Sequence, residues 1–356
     1  MSLLSSLSIA IPTFNRQEYV LRNMRYWSDY DVTVHIFDGS KVPIDDHLIS
    51  TLGSNINYHH MPCSLMERLN KSIKVIDTEY SIMIADDEFF IPSALESCIQ
   101  EMNNNHEIVS CTGSAISFRV RDKEVIGNVI YHKLRGHSIM HDAPSARSFY
   151  HMSNYVPSTI YSVMRSDIWK KSMRSLSFKN YEIFVRSVGE LQFEITASYL
   201  GKSKVINELM WLRSFENEPT RVQESEVTIP IKDFWYKESN KSMRDEIIDT
   251  IVQSIASEED NVSLIAQDVS QAFDAYLNIK TTQKSFKYWA YRTAQSILPK
   301  STVSLIARLL KLMKIIENNS LLSIYKLASI LDKDDIKVDV VALEEIEKIV
   351  LRFHSK

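Results

Sequence analysis

The segment Tyr80 to Ala85, YSIMIA, is a run of apolar residues with one small Ser, and it stops abruptly at Asp86-Asp87-Glu88. A strand that is apolar on both faces belongs in a sheet covered on both sides, and such sheets are parallel and built from βαβ units. The preceding residues have that rhythm. Leu7 to Pro12 is a short apolar strand. Asn15 opens a helix over 16–30, with Tyr19, Val20, Asn23, Met24 and Trp27 at helical spacing. Val32 to Phe37 is rich in β-branched residues and ends in the turn Asp38-Gly39-Ser40. A polar helix over 44–52, a third strand over 55–61 and an amphipathic helix over 64–76 follow, the last with Leu65, Leu69, Ile73 and Ile76 on one face. The expectation is an α/β fold with a mostly parallel sheet flanked by helices. In such sheets ligands bind beyond the carboxyl ends of the strands. Three polar turns would lie there: Thr13 to Arg16, Asp38 to Ser40, and Asp86 to Glu88.

Glycine usage removes two nucleotide folds. The chain has 7 glycines in 356 residues, and none falls into GxGxxG or GxxxxGK[ST]. The dinucleotide fingerprint and the P-loop are therefore absent. A net charge of −4 argues against nucleic acid as the main partner. Three separated cysteines, without CxxC, argue for a reducing compartment and against a disulfide framework or a zinc site. His137 and His141 stand four apart, but Gly136 and Pro144 beside them disfavour the helix that would pair them on a metal. The first residues lack the pattern of a secretory signal, and no apolar run approaches the ~20 residues of a membrane span. The expectation is a soluble, cytoplasmic protein.

Further along, 108–131 reads as short strands and 132–160 as an irregular loop. A helix over 183–200 is closed by Gly201, and a strand covers 204–206. After about residue 230 the chain turns helical, with stretches at 244–257, 285–297, 302–316 and 341–353. Two regions are expected: 1–228, carrying the sheet, and 229–356, helical. Ser301 to Asn318 has a broad apolar face beside Arg308, Lys311 and Lys314. Such a face packs on neighbouring helices or on a second copy of the chain, or lies on an anionic membrane. The width of the face and the lack of Trp or Phe in it favour packing.

Carboxylates at 86–88 supply hard oxygen ligands for Mg²⁺ or Mn²⁺, with substrate phosphates completing the shell. The plainer role is a solvated helix start before Pro92. Ile11-Pro12-Thr13-Phe14-Asn15-Arg16, then Asp38-Gly39-Ser40, then Ala85-Asp86-Asp87-Glu88, each after a strand, resembles the family 2-like glycosyltransferases of the A-type fold. The match spans residues 7–215. Ala85 stands where many members have the first motif Asp, and Glu88 where the third Asp is usual.

The resemblance implies a nucleotide-sugar donor and a divalent metal, Mn or Mg. It implies that Pro12 and Thr13 hold the base, Arg16 lies near base or phosphate, and Asp38 accepts from the base. Asp87 would bind the metal, with Asp86 and Glu88 on the ribose or supporting the metal. The family's general base precedes a glycine by about eleven residues, which selects Glu190 before Gly201, with Glu194 as competitor. Trp211 and Arg213 fall where such enzymes place sugar-stacking or phosphate-facing groups, although core packing suits Trp211 slightly better. His137, His141 and Arg147, in the 132–160 loop, are the candidate acceptor contacts. QxxRW of processive synthases is missing. The implied activity is non-processive, inverting transfer to a saccharide or lipid-linked acceptor in cell-surface polysaccharide synthesis. The alternatives are a nucleotidyltransferase, for which the Gly-rich phosphate loop is missing, and a noncatalytic scaffold.

Overall fold

The computed structural model describes residues 2–176, 187–217, 229–278 and 321–355. The elements that build its floor are β1 (Leu7–Thr13), β2 (Thr33–Asp38), β3 (Ile56–His60) and β4 (Tyr80–Met83), with helices α1 (Gln17–Trp27), α2 (Asp46–Ser50) and α3 (Leu65–Ser72) between them. The strands run parallel in the order β3-β2-β1-β4. All four residues of β4 are buried, Ser81 among them, as in a strand covered on both faces. α1 turns Val20, Met24 and Trp27 into the core. α3 starts on a capping box in which Ser64 and Glu67 satisfy each other's backbone N–H groups.

Beyond β4 the sheet becomes mixed. β5 (Phe89–Phe90) is followed by α4 (Pro92–Asn104), then β6 (Ile108–Arg121), β7 (Glu124–Gly127) and β8 (Val129–Ile130). α5 (Pro144–Ser153), β9 (Val163–Arg165) and α6 (Ser166–Arg174) come next, then α7 (Val188–Leu200) and β10 (Lys202–Ser214). β9 lies between β4 and β6, antiparallel to both. β10 pairs parallel with β6 along most of its length and antiparallel with β5. The molecule is thus a mixed α/β structure with one large central sheet flanked by helices.

Several boundaries differ from the sequence reading. The short strands expected over 108–131 are one 14-residue strand folded onto β7 by a hairpin at Asp122-Lys123. Both turn residues have positive φ, 51° and 63°, the type I′ geometry that pairs two twisted strands. Asp-Lys is an unusual sequence for that turn, so the hairpin left no signal. The 132–160 stretch is not irregular throughout, because α5 lies within it. The helix before Gly201 begins at Val188 among the described residues, after Ser187 with φ 71°.

The expected helical region from 229 onward is two separate packings. The helix Lys241–Ile255 and the helical residues 262–278 cover α7, with Ile247, Ile251, Val269 and Phe273 buried against Val188, Leu191 and Ile195. Residues 321–355 instead join the main core. β11 (Leu322–Ser323) pairs with β7, and Leu327, Leu331, Leu343, Ile346 and Val350 pack into the cluster that holds Ile9, Ile82 and Leu95. The stretches 285–297 and 302–316, with the amphipathic segment Ser301–Asn318, lie outside the described residues. Among the described residues no helix is long and apolar enough to cross a membrane.

Candidate active site at the carboxyl edge of the sheet

β1, β2 and β4 end side by side, and their polar turns meet. Thr13 closes β1, and its hydroxyl donates to Asp86 Oδ2 at 2.8 Å. Asn15 adopts φ 54°, and its N–H donates to Ser40 Oγ at 2.9 Å, so the β1 turn is tied to the β2 turn. Arg16, next in sequence, places Nη1 3.5 Å from both Asp86 Oδ1 and Asp87 Oδ2. Pro12 pairs with Phe37 in the β1–β2 register and is not itself a polar contact.

Asp38 is fully buried at the end of β2. It accepts from the Ser40 N–H at 2.8 Å, the Tyr58 hydroxyl at 2.7 Å and Gln17 Nε2 at 3.1 Å. Burial pushes its carboxyl up, but these hydrogen bonds outweigh burial and hold it below the usual carboxylate range. Beside it lies Arg68 from α3, buried, donating through Nη1 to the carbonyls of Thr13 and Phe37. A Cβ on Gly39 would sit 2.5 Å from the Arg68 guanidinium carbon, which is why this turn holds glycine.

The acidic triplet is held from below. Asn23 of α1 donates to the carbonyls of Ala85, Asp86 and Glu88, at 3.3, 3.3 and 2.8 Å. Arg22 Nη2 donates to the Asp87 carbonyl at 2.9 Å. The three side chains then diverge. Asp86 faces Thr13 and Arg16, and burial and the Asp87 charge raise its carboxyl to about 6. Glu88 points back under β10, where Trp211 Nε1 donates to Oε2 at 2.6 Å and Arg213 Nε lies 3.7 Å from Oε1. Burial, then the Asp87 charge, raise Glu88 to about 8. Asp87 accepts from Asn217 Nδ2 at 3.0 Å. Its pairing with Arg16 and Asn217 leaves it without the hydroxyl or indole donor that fixes each neighbour.

These positions bear on the metal expectation. Among the described residues no three His, Cys, Asp or Glu side chains converge as a metal cage. Glu88, locked onto Trp211, is poorly placed as a ligand. A hard divalent cation held by one carboxylate, with substrate phosphates and water completing its shell, is compatible with Asp87.

Trp211 is 1% exposed, between Tyr131 at 5.2 Å and Tyr161 at 4.7 Å, with Phe90 stacked at 5.9 Å. Core packing accounts for it. Arg213 remains partly exposed and lies over the rings of Tyr131, Trp211 and Phe215.

The remaining predicted residues form a second cluster. Glu190, in the first turn of α7, accepts from the Tyr155 hydroxyl. Glu194, one turn on, is fully buried. It accepts from His151 Nε2 at 2.6 Å, from the Thr159 hydroxyl at 2.6 Å and from the N–H groups of Thr159 and Ile160, the latter at 3.1 Å. His137 Nε2 lies 3.0 Å from His151 Nδ1. His151 turns Nε2 to the carboxylate, so Nδ1 is the nitrogen that faces His137. Burial, then His151, lower His137 to about 4. Arg147 spends its guanidinium on the carbonyls of Ser198, Tyr199, His141 and Asp142, which caps the carboxyl end of α7. His141 packs on Tyr150 at 4.8 Å. Arg147 and His137 are therefore buried scaffold in this structure rather than groups presented to solvent. The two clusters are joined by one segment: Glu194 holds Thr159 and Ile160, and the next residue, Tyr161, packs on Trp211 above Glu88.

Sequence reasoning missed Gln17, Arg22, Asn23, Tyr58, Arg68, Glu216 and Asn217. Only Arg22 and Asn23 carried a signal, as polar residues on the face of α1 that turns inward.

No protein-family profile matches the chain, and no curated protein matches it. Among solved structures, the chain is similar to residues 1–349 of S. aureus TarS in complex with UDP-GlcNAc. The identity is 14% and the TM-score 0.49, covering 79% of this chain and 75% of that one. The same protein in complex with UDP gives 11% identity and a TM-score of 0.44, covering 78% and 91%.

Proposed function

We propose that this chain is a glycosyltransferase that uses a nucleotide-sugar donor. The reading is carried by one observation: the turns after three adjacent parallel strands bring Thr13, Arg16, Asp38, Asp86 and Asp87 together, linked by hydrogen bonds, at the edge where this sheet class binds ligands. The β1 and β2 turns form the floor for the nucleoside. Asp38, buried and held by Ser40, Tyr58 and Gln17, fixes the β2 turn that lies under the base. Arg16 supplies a cation on the diphosphate side, and Asp87 is the ligand for Mn²⁺ or Mg²⁺. A bound divalent cation would stabilise the negative charge that develops on the leaving nucleoside diphosphate.

Glu190 is the preferred general base. Its rival Glu194 is fully buried and already accepts from His151, Thr159 and Ile160, so no lone pair is left for an incoming hydroxyl. Glu190 is only half-buried and sits in the first turn of α7. It would take the proton as the acceptor hydroxyl attacks the anomeric carbon, which implies inversion in a single displacement. A saccharide or lipid-linked acceptor, and a place in cell-surface polysaccharide synthesis at the cytoplasmic side of the membrane, complete the reading.

The test is calorimetry with a panel of nucleoside diphosphates (uridine, guanosine, cytidine, adenosine and thymidine) with and without MnCl₂. One of the panel should bind, more tightly with Mn²⁺, and Asp87→Asn should lose the Mn²⁺-dependent part. If none binds in either condition, the proposal fails.

A further inference from the structure

The last helical turn of the sequence reaches the floor of the acidic loop. The helix Val340–His354 ends with Phe353 and His354 beside α1. His354 Nε2 donates to Glu216 Oε1. The other oxygen of Glu216 accepts from Arg22 Nη2 at 2.8 Å, and Arg22 Nη1 lies 3.3 Å from Oε1. Both members of this ion pair are buried, their side chains 3% and 2% exposed. The same Arg22 Nη2 donates to the Asp87 carbonyl. Asn217, next to Glu216, donates to the Asp87 carboxylate. One dipeptide thus governs Asp87 twice, its backbone through Arg22 and its side chain through Asn217.

The Arg22 guanidinium is boxed by three rings, 5.0 Å from Tyr19, 5.0 Å from Phe89 and 4.7 Å from Phe353. Phe353 also packs on Tyr19 at 4.8 Å. Such a box, with a bidentate carboxylate, leaves a long side chain a single rotamer.

From these contacts we infer that Phe353 and His354 are positioning residues for Asp87. His354 fixes Glu216, Glu216 and Phe353 fix Arg22, and Arg22 fixes the peptide that presents the Asp87 carboxylate. The inference rests on the reading of Asp87 as the residue that meets the donor's diphosphate and its cation. The last turn is free to serve this purpose because the rest of its helix is anchored elsewhere. Leu343, Ile346 and Val350 are in the main core, Tyr30 donates to Glu345 at 3.0 Å, and Ser93 donates to Asp339 at 2.7 Å.

The test compares the full chain with the double variant Phe353→Ala/His354→Ala and with the single variants His354→Ala and His354→Lys. Hydrogen exchange needs no ligand. In the double variant the amides of 86–88 should exchange roughly tenfold faster or more, the loss of one charge-assisted hydrogen bond, while β1 and β2 amides stay as they were. The nucleoside diphosphate that binds the parent in the presence of Mn²⁺ should bind the double variant about tenfold more weakly. His354→Lys, which keeps an N–H donor at Glu216, should recover most of what His354→Ala loses. Unchanged exchange at 86–88 in the double variant overturns the inference. So does a uniform rise across β1, β2 and β4, which marks a general structural loss. If no nucleoside diphosphate binds the parent, the functional reading falls, and the exchange data still decide whether the last turn holds the loop.

Discussion

Replacing Asp38 by alanine separates two roles that the carboxylate combines. Asp38 is 0% exposed, and three donors converge on it. Hydrogen bonds to a charged group contribute about 1.5–3 kcal/mol each, and a buried donor left unpaired costs about 1–3 kcal/mol. The three losses are not equal. Gln17 keeps its bond to the Val42 carbonyl at 2.6 Å, and the half-buried Tyr58 still donates partly toward solvent or to a relaxed neighbour. The N–H of Ser40, 4% exposed, has no such recourse. The expected cost of Asp38→Ala is therefore about 2–4 kcal/mol, less than three full hydrogen bonds. Asp38→Asn retains an acceptor for Ser40 and should cost about 1 kcal/mol. The pH dependence has a definite sign. The Asp38 carboxyl is held below its unfolded value, so its contribution is present above the unfolded pKa and is lost as pH falls through the folded one. The acid limb of a stability curve should therefore flatten in Asp38→Asn. Urea unfolding between pH 3 and 7 reads both effects, with nucleoside diphosphate calorimetry on the same samples. Ser40 also holds the Asn15 N–H, so weaker donor binding should accompany the loss of stability. An alanine variant within about 0.5 kcal/mol of the parent, yet unable to bind, would refute the reasoning, because Asp38 would then face substrate rather than its own turn.

Three further outcomes are expected. Glu190→Gln should lower the transfer rate on the order of 10²–10⁴-fold with donor affinity nearly unchanged, as steady-state kinetics would show. His137, lowered to about 4 from the ordinary 6.5, lets the unfolded chain bind the extra proton, so stability is lost as pH falls below 6.5. That loss amounts to about 2 kcal/mol by pH 5, and His137→Gln should remove it in urea titrations. Gly39→Ala brings a Cβ within 2.5 Å of Arg68 and should cost about 1–3 kcal/mol in urea unfolding, together with weaker nucleoside diphosphate binding, because Arg68 must leave the Thr13 and Phe37 carbonyls.

The parallel half of the sheet was legible because its signals are local. An apolar run ended by acids, β-branched strands ended by Asp-Gly-Ser, and a helix face of Val20, Met24 and Trp27 each read correctly from a few neighbouring residues. The meeting of the turns was also legible, since parallel strands place their carboxyl ends on one edge. The pairing of β6 with β10 was not, because it joins residues about ninety positions apart, and the hairpin at Asp122-Lys123 uses residues that seldom take positive φ. Asn217, Glu216 and His354 escaped notice for the same reason. Each acts on Asp87 across more than a hundred residues, and nothing near Asp87 in sequence announces them.

Glu190 and Glu194 show how far spacing alone can go. They lie one helical turn apart, and a resemblance counted in residues from Gly201 prefers the first without a physical reason. The reason lies in what covers each. Glu194 meets α5 and the 159–160 turn, which supply a histidine, a hydroxyl and two N–H groups, so its charge is fully matched inside the protein. A carboxylate so matched has no lone pair left to meet an incoming hydroxyl. What it does instead is fix Thr159 and Ile160, and through them the ring of Tyr161 against Trp211, whose indole N–H holds Glu88 away from Asp87. On the proposed reading α7 has two carboxylates with two duties: Glu190 works on the acceptor, and Glu194 sets the wall of the donor site from behind. Glutamate suits both positions, which is why sequence alone left them as competitors.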